Sequence, residues 1–257
     1  MSFIGLKKAA CKISTILDSI TRNDVKYHFC SGIITAAGSG MRMGGISKQL
    51  ISLFDKEVIC YSIEAFEECE DIDEIIIVAK VDEIKTIEEI VKKHFYKKVK
   101  KIIEGGPTRQ ESVSKGFFAI NKKSEYVAIH DGARPLITPT QISSLLKTAY
   151  KNGASCAAYK IVDTLKLADK NDSILKTVDR TDLWAVQTPQ IFRCDIYNVS
   201  LALAKRDEIS VTDDCSLVEH AKFPIKLIDT GKENIKLTTK DDIVLVENLL
   251  KARLLKE

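Results

Sequence analysis

The run Ile33-Ile34-Thr35-Ala36-Ala37-Gly38-Ser39-Gly40-Met41-Arg42-Met43-Gly44-Gly45 decides the fold. An apolar, β-branched start passes straight into a loop of small residues, the signature of a buried strand feeding a turn at a sheet edge. Small side chains let backbone N–H groups come close to a polyphosphate, and Arg42 and Lys48 add positive charge at the edge of the loop. No Gly-Lys-Ser/Thr follows at Walker A spacing, and the glycines do not make GxGxxG. Taken alone, the turn is equally well explained as plain structural punctuation.

Working outward from that strand, short β-rich runs at 33–37, 74–79, 100–104 and 126–130 alternate with amphipathic stretches around 58–69, 84–95 and 111–120. This alternation is the pattern of a mostly parallel sheet with helices on both faces, whose strand ends carry the site. A helix is expected over 141–150, ended by Gly153. The stretch that follows, about 155–190, has several short β-like runs around a polar middle and reads as a β-arm or hairpin leaving the main body. An isolated hairpin is marginally stable, so it either contacts a second subunit or folds back as an edge hairpin. A strand-like segment at 225–229, a short run at 234–237 and a helix over 240–255, capped by Thr238 or Thr239, complete the chain.

Composition narrows the function classes. The 257 residues carry 39 basic and 36 acidic side chains, a formal charge of +3. Nothing here provides the polybasic field that duplex nucleic acid or an anionic membrane needs, so neither is an expected partner. No apolar run approaches the roughly 20 residues required to span a bilayer. Seven scattered cysteines, an odd number without a CxxC pair, argue against a disulfide framework and a zinc ribbon, and suit a reducing cytoplasm. His28, His94, His130 and His220 lack ligand spacing and read as surface or core histidines. Residues 1–29 form an N-terminal extension with helical periodicity, a surface helix, presequence or docking helix; residues 30–257 form one domain.

Two further clusters follow strands. Glu104-Gly105-Gly106-Pro107-Thr108-Arg109-Gln110-Glu111-Ser112 places a glycine turn before a helix, where the backbone and Ser112 could read a base edge; a left-handed turn beside a surface arginine explains it as well. His130-Asp131-Gly132-Ala133-Arg134-Pro135 lifts a carboxylate and a guanidinium to the sheet edge, to hold Mg²⁺, a hydroxyl or a phosphate, or to pair with each other.

With Lys48-Gln49, Asp163-Thr164, Thr177-Val178-Asp179-Arg180, Leu183-Trp184, Gln187-Thr188-Pro189-Gln190, Thr212-Asp213-Asp214 and Asn234-Ile235-Lys236, these motifs occur in one order, and the chain from about 31 to 250 resembles the 2-C-methyl-D-erythritol 4-phosphate cytidylyltransferases of the non-mevalonate isoprenoid pathway. The resemblance implies a single Rossmann-like α/β nucleotidyltransferase domain with a protruding β-arm. It implies transfer of CMP from CTP to the polyol phosphate with release of pyrophosphate, assisted by Mg²⁺ or another divalent cation, in a homodimer joined through the arm. By matching positions, Arg42 and Lys48 would stabilise the transition state, and Arg180 and Lys236 would position the attacking phosphate. Ala36, Ala37, Gly38, Gly106 and Ser112 would hold CTP. Asp131, Arg134, Thr164, Thr188 and Thr212 would line the polyol phosphate, with Thr164 or Arg180 supplied across the dimer. Metal ligands are not assigned. Ribitol 5-phosphate cytidylyltransferases share several of these motifs, and a catalytically silent nucleotide-binding relative would keep the fold. Thr35, Ser47 and Pro107 depart from residues frequent in the family, and the interval from Arg42 to Lys48 is one residue short.

Overall fold

The structure, a computed structural model, describes residues 27–38 and 47–255, apart from the side chain of Leu254. Arg42 and most of the expected N-terminal helix lie outside the described residues. In chain order the strands are β1 (Cys30–Thr35), β2 (Ser52–Leu53), β3 (Lys56–Glu57), β4 (Glu74–Ala79), β5 (Val99–Glu104), β6 (Tyr126–Asp131), β7 (Ala154–Lys160), β8 (Leu165–Ala168), β9 (Ile174–Val178), β10 (Trp184–Arg193) and β11 (Lys226–Asp229). The helices are α1 (Val58–Glu68), α2 (Ile84–Lys93), α3 (Arg109–Ala119), α4 (Pro139–Asn152), α5 (Cys194–Arg206), α6 (Asp214–His220) and α7 (Lys240–Leu254).

The main sheet has seven strands in the order β11-β7-β10-β6-β1-β4-β5. All neighbours are parallel except β10, which runs antiparallel to both β6 and β7. The mostly parallel α/β sheet expected from the alternation is therefore present, with one reversed strand inside it. Side chains of successive strand residues go to opposite faces. Ile34, Ile75, Ile77 and Ala128 pack with Ile59, Ile63 and Phe66 of α1 and with Ile142, Leu145 and Leu146 of α4. Ile33, Val78, Val127 and Ile129 pack on the other face with Val113 and Phe117 of α3 and with α5 and α6. Each fully buried aliphatic side chain of this kind contributes about 1.5–3 kcal/mol, so the two-sided core anchors the strand ends rigidly.

Local signals explain the boundaries. Thr108 and Thr138 are N-caps whose hydroxyls accept from the N–H groups of Glu111 and Gln141, and those side chains return the bond in capping boxes. Gly153 ends α4 at φ 83°, a left-handed position that glycine adopts without strain. α5 and α6 are absent from the sequence expectations, and the short run at 234–237 is open backbone. Its Leu237 N–H donates to Ala133 O at 2.9 Å, and Leu237 joins Leu53, Val58, Leu136, Val246 and Leu250 in a small third core. Asp242 of α7 accepts from the N–H groups of Thr238 and Thr239, both at 2.7 Å, which fixes the path entering that helix.

The stretch expected as an arm begins and ends within the main sheet, as β7 and β10. Between them β8 and β9 pair only with each other, and their residues are nearly all exposed.

Candidate active site

Thr35 is in register with Val78 on one side and Asp131 on the other, so β1, β4 and β6 end together. At that carboxyl edge lies a cleft of about 400 Å³. One stretch of its lining is backbone-rich, with Ala37, Gly38, Gly106 and Ser112 beside the side chains of Lys48 and Gln49 in the same lining. A second stretch of wall carries charge, through Arg109, Asp131 and Lys236.

The backbone wall is assembled by close approach. Neither Gly105 nor Gly106 is left-handed, which corrects the simple turn reading. A Cβ on Gly105 would lie 2.7 Å from Ala37 Cβ and 2.8 Å from Ser112 Oγ, so glycine is needed to bring the two loops together. Gly106 N–H donates to Ser112 Oγ at 2.9 Å, and the Ser112 hydroxyl in turn faces Thr108 O at 2.9 Å and Gly106 O at 3.2 Å. Ser112 thus shapes the loop that sequence reasoning assigned to a base edge. Gln49, buried, donates through Nε2 to Ala36 O and holds the short helical turn bearing Lys48 against the end of β1.

The charged wall centres on Asp131. Lys236 Nζ donates to Oδ2 at 2.7 Å, Arg109 Nε to Oδ1 at 3.4 Å, and Arg134 Nε stands 3.7 Å from Oδ2. Burial alone would raise the carboxyl pKa, but the charges of Lys236, Arg109 and Arg134 outweigh it and hold Asp131 well below the usual carboxylate range. Arg109 is shared: its Nη1 donates to Asp214 Oδ2 at 2.7 Å, and Asp214 Oδ1 accepts from the buried Tyr197 hydroxyl at 2.7 Å. Burial opposes the Arg109 charge, yet Asp214 and Asp131 raise its pKa overall. Gln190 Oε1 accepts from the N–H groups of Asp214 and Cys215, both at 3.0 Å, which seats α6 for this contact.

Beneath the wall, Asp131 N–H donates to Thr188 Oγ1 at 3.0 Å, and Thr188 Oγ1 lies 3.1 Å from His130 Nδ1. His130 Nε2 lies 3.2 Å from Arg134 O, which can only accept. The proton therefore sits on Nε2, and Nδ1 accepts from the Thr188 hydroxyl. Burial lowers the His130 pKa to about 4, so this ring is a neutral structural link and not a base.

Of the residues named from sequence, Ala37, Gly38, Lys48, Gly106, Ser112, Asp131 and Lys236 line the cleft. Ala36 is buried directly beneath it. Arg134 and Thr188 stand behind Asp131: Arg134 Nη1 donates to Asn234 O at 2.7 Å, and Thr188 is buried. Thr164, Arg180 and Thr212 are exposed and do not line the cleft of their own chain. Arg180 donates to Val162 O at the base of the β8–β9 pair. Arg109 is the site residue that sequence reasoning missed. Its available signal was position: as the first residue of α3, it starts at the same sheet edge as Asp131.

Asp131 is the one carboxylate among the described residues lining the cleft. A single ionised carboxylate suits a Mg²⁺ held mainly by substrate phosphate oxygens and water, and does not make an all-protein cage.

The family model for 2-C-methyl-D-erythritol 4-phosphate cytidylyltransferase matches residues 30–252. The chain is 41% identical over 223 residues to such an enzyme from Caldanaerobacter subterraneus subsp. tengcongensis, covering 86% of this chain and 98% of the relative. It is 42% identical over 220 residues to the one from Clostridium tetani, covering 85% and 89% respectively. Among solved structures it is similar to the 4-diphosphocytidyl-2C-methyl-D-erythritol synthase of Anaerococcus prevotii, with TM-score 0.78, 31% identity, and coverage of 87% of this chain and 96% of that one.

Proposed function

The chain belongs to the 2-C-methyl-D-erythritol 4-phosphate cytidylyltransferase family, and from that premise we propose how its cleft performs the family's reaction. The reaction transfers CMP from CTP to 2-C-methyl-D-erythritol 4-phosphate, giving 4-diphosphocytidyl-2-C-methyl-D-erythritol and pyrophosphate. The observation that carries the assignment is that one cleft at the sheet edge is lined both by backbone-rich loop residues with Lys48 and by Arg109, Asp131 and Lys236.

A phosphate monoester has a second pKa near 6 and is already a nucleophile at neutral pH, so no general base is required. An oxygen of the polyol phosphate forms a bond to the α-phosphorus of CTP as the bond from that phosphorus to the β-phosphate oxygen breaks in line. Catalysis is then positioning and neutralisation of charge. Ala37, Gly38 and Gly106 present backbone to the triphosphate, and Lys48 meets the charge that develops on the α-phosphate and on the leaving pyrophosphate. Arg42, outside the described residues, takes the second share of that charge. Lys236, fixed by Asp131, orients the attacking phosphate. Mg²⁺, when bound, supplies further neutralisation of the triphosphate oxygens, with Asp131 as the protein oxygen suited to hold it.

Arg180 or Thr164 completes the polyol-phosphate side when two chains assemble through the β8–β9 arm. Two observations support this reading: Thr164 and Arg180 do not line their own cleft, and Val162, Leu167, Ile174 and Leu175 expose apolar surface on the same arm. Residues 30–257 then act as one catalytic domain, working in the cytoplasm.

The test is divalent-cation-dependent release of pyrophosphate from CTP, with 2-C-methyl-D-erythritol 4-phosphate and ribitol 5-phosphate compared side by side. Faster turnover of the first is expected. Preference for ribitol 5-phosphate, or silence with both, would overturn the assignment.

A further inference from the structure

Glu57, Cys60 and His94 converge at the start of α1, and none of them lines the substrate cleft. Glu57 is the N-cap of α1, and Cys60 lies three residues further on, so the two side chains share one face. His94 closes α2, its N–H bonded to Ile90 O at 3.0 Å. One ligand atom from each of the three residues falls within 4.8 Å of the others. Cys60 Sγ is 3.5 Å from Glu57 Oε2. A tetrahedral zinc ion with ordinary Zn–S and Zn–O lengths sets those two atoms about 3.6 Å apart, so this edge of the polyhedron is already formed.

An independent observation comes from the histidine. His94 Nε2 is shielded from solvent and has no hydrogen-bond partner among the described residues. Its ring is stacked on Tyr96 at 5.4 Å with an interplanar angle of 9°, which fixes its orientation. The Tyr96 hydroxyl donates to Glu64 Oε1 at 2.9 Å, and Glu64 Oε2 pairs with Lys56 at 2.6 Å. These bonds hold the Tyr96 ring against which His94 is stacked.

We propose that Glu57, Cys60 and His94 form a binding site for a zinc-like divalent transition metal, with a water in the fourth position. Thiolate and imidazole select zinc or cobalt over magnesium, so this site and a phosphate-bound Mg²⁺ take different ions. In the metal-free protein, burial and the Glu57 and Glu64 carboxylates push the Cys60 thiol up to about 12. Binding therefore breaks the S–H bond, forms the S–metal bond and releases one proton to solvent. The metal would tie the start of α1 to the connection between α2 and β5. Through Ser62, whose hydroxyl lies 3.3 Å from Gly132 O, α1 also braces the loop that carries Asp131.

The experiment titrates the full-length, metal-stripped protein with Zn²⁺ in excess Mg²⁺, then repeats the titration with Co²⁺. One equivalent of zinc and a thiolate-to-cobalt charge-transfer band are expected. Cys60→Ser should abolish the band, His94→Gln should weaken zinc binding by about tenfold or more, and Cys194→Ser should change neither. Circular dichroism checks that each variant is folded. If Cys60→Ser does not fold, the wild-type cobalt band and the less buried His94→Gln variant decide. Absence of tight zinc binding to the wild-type chain overturns the site. So does unchanged affinity in His94→Gln, or a band that persists in folded Cys60→Ser.

Discussion

Lys236 Nζ donates to Asp131 Oδ2 at 2.7 Å across 105 residues of sequence, and this contact joins the segment before α7 to the end of β6. Asp131 is at once the counter-ion for three cations and the one carboxylate among the described residues lining the cleft. Asp131→Asn keeps the shape and removes the charge, leaving Lys236, Arg109 and Arg134 mutually repelling. We expect turnover to fall by about 10²-fold or more and stability by about 3 kcal/mol, the usual cost of breaking a buried pair. Steady-state kinetics and urea unfolding of the same preparation measure both.

Lys48 lines the same cleft as Asp131, on a short turn held by the Gln49 bond to Ala36 O. If its charge acts mainly on the transition state, Lys48→Ala lowers kcat by about 10²–10³-fold while the KM for CTP changes little. A rise in KM at constant kcat would instead make Lys48 a ground-state binding residue.

Gly105→Ala inserts a methyl group 2.7 Å from Ala37 Cβ and 2.8 Å from Ser112 Oγ. Overpacking of this kind costs about 1–3 kcal/mol and would push the two backbone loops apart. Isothermal titration with CTP should show weaker binding alongside a lower melting temperature; unchanged affinity would place the nucleotide elsewhere.

Acid sensitivity follows from His130. Its folded-state pKa is about 4, against an ordinary value of 6.5, so on acidification the unfolded chain takes up a proton before the native one does. The stability it contributes is full above about pH 6.5 and is lost as pH falls toward 4, a change of about 3 kcal/mol from this group. Asp131, held below its usual range, adds a further loss at still lower pH. Thermal unfolding followed from pH 7 to 4.5 should show this slope, and His130→Gln should flatten it.

Sharing of sites between subunits is testable by mixing. Arg180→Ala and Lys48→Ala chains should each be nearly inactive alone. After unfolding and refolding together, half of the dimers are mixed, and each mixed dimer keeps one intact cleft, so about a quarter of wild-type activity returns. No recovery in a dimer of confirmed mixed composition would place Arg180 in its own chain's site.

Much of the fold was legible because it is written locally. The β-branched runs at Ile33, Ile75 to Val78 and Val127 to Ile129 are apolar on both faces, as strands of a doubly covered sheet must be. Thr108 and Thr138, each followed three residues later by Glu or Gln, carry a local cap signal that the structure shows to start their helices. α5 and α6 were not read, although Ile196, Tyr197, Ser200 and Ala204 recur at helical spacing and Asp213 is an N-cap. The return of β10 to the sheet is not legible in the sequence, since antiparallel insertion between two strands is a long-range pairing with no local signature.

The sequence by itself determined the class of fold, the order of its motifs and the family, because strand and helix periodicity, caps and glycine turns are properties of neighbouring residues. Only the tertiary structure decided which charges share a site. Arg109 reads as a surface cation until α3 and α6 set it between Asp131 and Asp214. Thr188 reads as a ligand residue until burial assigns its hydroxyl to Asp131 N–H and His130. Electrostatic and hydrogen-bond energies depend on separations of a few ångströms between groups up to 105 residues apart, and packing of the two cores on the sheet sets those separations.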